Sequence, residues 1–156
     1  MTTIIDGSAG ITFPNSTIQA SAGSVLQVVN ATFTAQASTS STSYVTTGYS
    51  ASITPKFNNS KIFVVFNGRT NITASGINIA FYRGATNITG TTGYVNYVSS
   101  GTQQNYTSLN WLDSPATASA TTYTIYFSNS GSGTVQINPN PTADFPATIT
   151  LMEIAG

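Results

Sequence analysis

The chain has no cysteine and no histidine, and its only charged residues are Lys56, Lys61, Arg69, Arg83, Asp6, Asp113, Asp144 and Glu153. Each absence removes a class of function. Without cysteine there are no disulfides, thiolate zinc sites or thiol nucleophiles, and the redox compartment is left unspecified. Without histidine neither a Ser-His-Asp triad nor an imidazole metal site can be built. The charged fraction is 5%, against about 25% in ordinary soluble domains. With zero net charge and no basic cluster, the chain lacks the counterion-release term that dominates nucleic-acid affinity and has no pull toward anionic lipid. Neither a nucleic acid nor a membrane is an expected partner. No run of about 18 apolar residues occurs, and the opening Met1–Ser8 lacks a basic start and an apolar core, so neither membrane insertion nor export is expected.

In place of charge there is hydroxyl and amide. Ser and Thr make up roughly 30% of the residues, and Thr, Val, Ile, Tyr and Phe are the types that fit a pleated, half-buried surface. A length of 156 residues supports one domain with its own core. Residues 1–24 are rich in Gly, Ser and Ala and show weak periodicity. They are expected to form an extended N-terminal arm, in which Ile11, Phe13, Pro14 and Ile18 make attachment or subunit contacts, because a lone tail would leave those apolar groups in water. The plainer alternative is an unstructured leader.

From Val25 onward, short β-like runs alternate with turn residues: 25–33, 44–53, 61–72, 76–82, 93–98, 106–112, 121–127, 134–138 and 147–154. Breaks such as Thr54-Pro55, Arg83-Gly84, Asp113-Ser-Pro115 and Asn138-Pro-Asn-Pro141 separate them. Ile77, Ile79 and Phe81 alternate with Asn78 and Ala80. Ile149, Leu151 and Glu153 alternate with Thr148, Thr150 and Met152, so one face of each strand is expected to be buried. Lys61–Phe66 is apolar throughout after its first residue, the pattern of a central strand covered on both faces. With no 3.6-residue periodicity, residues 25–156 read as an all-β domain, an antiparallel two-sheet sandwich of jelly-roll-like type. A small barrel is the competing architecture. The tract Ala37–Ser43 reads as a solvated loop.

Chemistry is sparse. Glycoside cleavage needs two opposed carboxyl groups, and Asp113 with Asp144 is the one pair not assigned to a tail or strand. Both stand beside proline in turn-like segments, where side-chain-to-backbone bonding is the simpler role. No catalytic residue is therefore assigned. No loop is dense in oxygen ligands for calcium, and neither a metal nor a cofactor is expected. Asn-x-Ser/Thr occurs at Asn15, Asn30, Asn58, Asn71, Asn87 and Asn105. With 14 Asn in so Ser/Thr-rich a chain, about four such triplets arise by chance, so the motif carries no weight. Tyr94, Tyr97, Tyr106 and Trp111 lie in a Gly/Asn/Gln-rich stretch. Tyr94, Tyr97 and Tyr106 are candidate glycan contacts, since such a mix stacks on and hydrogen-bonds sugars. The alternative is cross-strand or subunit packing.

Four segments, Gly10–Ala20, Ser52–Ile62, Trp111–Tyr123 and Ala147–Ala155, together resemble β-rich fibre-like and decoration proteins of tailed bacteriophages, of the type found on phages of aquatic or cyanobacterial hosts. The resemblance spans nearly the whole chain. It implies a homotrimer whose β domain faces outward while the N-terminal arm attaches to capsid or tail proteins of the same virion. Such a subunit is made in the host cytoplasm and released by lysis, which reconciles an extracellular style of surface with the absence of an export signal. No heptads or shaft repeats are present, so a capsid decoration protein, head fibre or short fibre tip fits better than a free-standing fibre. The alternative function is a tail-fibre module that recognises a host surface polysaccharide.

Overall fold

The computed structural model describes residues 4–6, 10–12, 18–19, 25–90, 95–140 and 145–156. Among these residues there are strands and no helix. Three short strands, β1 (Ile4–Asp6), β2 (Gly10–Thr12) and β3 (Ile18–Gln19), form an antiparallel meander of their own, in which Ile5 pairs with Ile11 and Thr12 with Ile18. Ile11 and Ile18 thus fall on paired strands, of which only the backbone is described. Phe13 and Pro14 lie outside the described residues.

The remaining strands are β4 (Val25–Phe33), β5 (Ala37–Thr39), β6 (Val45–Ile53), β7 (Lys61–Thr73), β8 (Gly76–Arg83), β9 (Thr86–Asn87), β10 (Asn96–Tyr97), β11 (Thr102–Asp113), β12 (Thr121–Asn129), β13 (Val135–Ile137) and β14 (Ala147–Ile154). They make two antiparallel sheets, consistent with the expected sandwich. The larger is built around β7. On one side, β14 and then β4 pair with its first half, while β13 and then β5 pair with its second half. Along its other side runs the whole of β11, from Thr102 opposite Thr73 to Asp113 opposite Ile62. The smaller sheet has the order β10-β8-β12-β6, with β9 also on β8.

Alternation along each strand delivers one apolar row to the space between the sheets. Ile62, Val64, Phe66 and Ile72 of β7, with Ile149 and Leu151 of β14, meet Ile77, Ile79 and Phe81 of β8 and Tyr123, Ile125 and Phe127 of β12, all inaccessible or nearly so. Burying a side chain of this size contributes about 1.5–3 kcal/mol, so this layer holds the fold without disulfides. Gly68 continues the inward series of β7. A methyl group there would stand 2.8 Å from the tip of the Phe66 ring, so the missing side chain is the space the ring occupies.

Two sequence expectations need correcting. Ala37–Ser43 is not wholly a solvated loop: Ala37–Thr39 pairs with β13, and Ala37 is buried. A strand of Ala, Ser and Thr carries no apolar alternation and is specified by its partner. Lys61–Phe66 is indeed central, but among the described residues only one of its faces is fully covered. Ile62, Val64 and Phe66 are buried, whereas Phe63 and Val65 point the other way and stay partly accessible.

Candidate functional site

Asp113, the one described member of the candidate carboxylate pair, closes β11 and is held between the sheets. Arg83, at the end of β8, places Nη1 3.0 Å from its Oδ1 and 2.8 Å from its Oδ2. The Tyr123 hydroxyl donates to Oδ2 at 2.7 Å. Burial first, and then the neighbouring Asp113 carboxylate, push the Tyr123 phenol far above its ordinary pKa, so it stays a hydrogen-bond donor at any physiological pH. The carboxylate is therefore engaged by side chains of the opposite sheet, not by backbone as a turn aspartate would be. With both oxygens engaged, the group serves as an inter-sheet tie. Asp144 lies outside the described residues.

A second buried carboxylate was not singled out from sequence. Glu153, in the inward row of β14, is inaccessible to solvent. It accepts hydrogen bonds from Ser60 Oγ at 2.6 Å, Gln27 Nε2 at 2.6 Å and the Lys56 amide at 2.7 Å. Burial acts to raise its pKa, but the donors from Ser60, Gln27 and the Lys56 and Phe57 backbone outweigh burial and hold it below the ordinary value. It pins the turn after β6 to both β4 and β14. Its position in an alternating run was visible, but its partners, distant in sequence, were not.

The candidate glycan contacts do not form one cluster. Tyr94 lies outside the described residues. Tyr97 is on β10, opposite Gly76 at the margin of the smaller sheet. Tyr106 is on β11 of the larger sheet, directly opposite Arg69, with 69% of its surface accessible. Around Tyr106 stand groups that sequence reasoning missed: the Arg69 guanidinium is 5.9 Å from the ring centroid, Phe145 meets the ring edge-on at 5.9 Å, and Arg69 donates to the Gln104 side chain. Arg69 and Phe145 are 37 residues before and 39 after Tyr106 in the numbering, so only strand register brings them together. Trp111 stands opposite Val64 on the core-facing side of the edge strand, still partly accessible.

No known protein family and no curated protein matches this chain. What remains is the geometry. Among the described residues no three His, Cys, Asp or Glu side chains converge as a metal site would require. At the end of β4 a cleft of about 390 Å³ opens beside Phe33 and Tyr49, but those two rings stack on each other, 4.7 Å apart and 14° from parallel. Tyr49 also gives its hydroxyl proton to the Ala35 carbonyl, so both rings and that hydroxyl are already engaged. Among the described residues β11 and β4 of the larger sheet and β6 of the smaller one each leave one side unpaired, β11 being the longest of the three, and the outer face of the larger sheet is only partly covered.

Proposed function

We propose that this chain is a non-enzymatic structural subunit of a tailed-bacteriophage virion: a homotrimeric capsid decoration, head-fibre or short fibre-tip protein exposed on the particle surface. Residues 1–24 attach it to capsid or tail proteins. The observation that carries this reading is the β11 edge. Its segment TQQNYTSLNWLD contains no Lys, Arg or Pro, and among the described residues no strand pairs its outer side. An edge of that length, left bare, templates uncontrolled pairing. A subunit that lives in a closed symmetric assembly covers such an edge with its neighbours. The pairing of β4 with β14 and of β6 with β12, strands far apart in the chain, supports the jelly-roll-like form of sandwich expected from the strand pattern.

The test is fractionation of phage particles by density-gradient centrifugation, with immunoblotting for this chain. Co-purification at a fixed ratio to the major capsid protein is expected. Recovery of the chain only in the soluble fraction contradicts the proposal.

The Tyr106–Phe145–Arg69 cluster favours a second reading, a receptor-binding module for host surface polysaccharide, because exposed rings beside a guanidinium and amides stack on and hydrogen-bond sugars. Binding of the labelled protein to host cells, lost on replacing Tyr106 and Phe145 by Ala, supports this reading. Absence of binding to every susceptible strain excludes it.

A further inference from the structure

Strand register places an apolar stripe on the outer face of the larger sheet, away from the core. Residues directly opposite in adjacent strands share a face. Val28 of β4 stands opposite Met152 of β14, Met152 opposite Phe63 of β7, and Phe63 opposite Leu112 of β11. This row crosses all four strands. The next row runs Val25–Ile154–Lys61, so the stripe ends on that side at one exposed ammonium, and Val65 extends the stripe on the other side. Val25, Val28 and Leu112 are 54%, 57% and 49% accessible. Isolated exposed apolar residues are ordinary, but a contiguous stripe across four strands marks an interaction surface.

We infer that this face is where a second copy of the chain packs. The sequence of β7 already carries the signature: after Lys61 its first half is apolar at every position, as in strands buried on both sides, and the described residues fully cover only one side. Polar residues beside the stripe point to the same occupant. The adjoining row is Asn30–Thr150–Val65–Asn110, uncharged; Asn30 donates to Thr150 within the chain, and the donor and acceptor capacity left on the row's amides and hydroxyl is of a kind an identical row can meet. Four strands about 4.8 Å apart and roughly 30 Å long present about 600 Å². Two such faces bury about 1,200 Å², the lower end of the range for specific stable interfaces. The inference rests on the oligomeric part of the virion-subunit reading and not on its three-fold symmetry: identical faces pair about a two-fold axis, and the contact is assigned to that pairing.

Sedimentation velocity over a range of micromolar concentrations tests it, on the native chain, on a Val28→Lys/Leu112→Lys double variant, and on Tyr97→Lys, which places the same charge on the smaller sheet. The native chain and Tyr97→Lys are expected to associate. The double variant is expected to weaken association at least about 100-fold, since the added charges would have to lose their water, while keeping the native circular dichroism. If the lysines disturb folding, Val28→Thr/Leu112→Thr is expected to weaken association by a smaller factor. An oligomer that both double variants leave intact overturns the assigned face but leaves the virion reading standing. A native chain that stays monomeric overturns the face and the oligomer together. A monomer that associates only after deletion of residues 2–22 assigns the face to the chain's own N-terminal segment and likewise overturns the inference.

Discussion

The hydroxyl of Tyr123, at the centre of the smaller sheet, donates to the carboxylate of Asp113, at the end of an edge strand of the larger one, at 2.7 Å. This contact, with Arg83 on the same carboxylate, joins the two layers by a polar tie at the edge of a mainly apolar core. Tyr123→Phe removes the donor and leaves the charge in place, and is expected to cost about 1.5–3 kcal/mol in chemical denaturation. Asp113→Asn is expected to destabilise as well, by weakening the Arg83 pair. Neither is expected to abolish any activity of the chain in a manner separable from folding. A well-folded Asp113→Asn protein that had lost a glycan-cleaving activity would return Asp113 to the catalytic reading.

Stability should depend on pH through Glu153. Its pKa is held below the ordinary carboxylate value in the folded chain, so folding favours the ionised form. The unfolded carboxyl titrates near about 4.3. The contribution is therefore fully present above that pH and is lost as pH falls through the lower folded pKa. Urea midpoints are expected to be flat around neutrality and to decline below about pH 4–5, and Glu153→Gln is expected to be less stable at pH 7 and to flatten the acid limb. An unchanged acid limb in that variant would remove Glu153 from the account.

Gly68→Ala tests the packing around Phe66. The added methyl meets the ring tip at 2.8 Å, so the ring has to leave its place in the core. A loss of about 1–3 kcal/mol is expected, as for other overpacked cores, and Gly68→Ala with Phe66→Leu is expected to recover part of it.

Deleting residues 2–22 separates folding from attachment. The meander β1–β3 pairs only with itself among the described residues, so the thermal midpoint of the sandwich is expected to change little. Incorporation into particles is expected to fall to background in a complementation assay. Normal incorporation of the truncated chain contradicts the arm's role.

Where sequence reading succeeded, the physics was local. Val25–Phe33 and Ala147–Ile154 are strands with the bounds that their composition suggests, and the inward row of Ile149, Leu151 and Glu153 follows from period two alone. It failed where a partner strand decides. Ala37–Thr39 has no alternation to read and becomes a strand because β13 lies beside it. Tyr97 and Tyr106 are near in sequence, yet the chain changes sheets between them, while Arg69 and Tyr106 are distant and meet through the register of β7 with β11. The outer apolar stripe was visible in one strand, as the unbroken run after Lys61. Its extension through Val28, Met152 and Leu112 needed the pairing.

The most direct test of the virion-surface proposal is immunogold electron microscopy of intact particles with an antibody against residues 25–156. Gold on the outside of unbroken particles, over the head or at the tail, is the result expected of an exposed structural subunit, and its position distinguishes decoration or head fibre from fibre tip. Particles that stay unlabelled while the antibody stains the lysate would contradict the proposal.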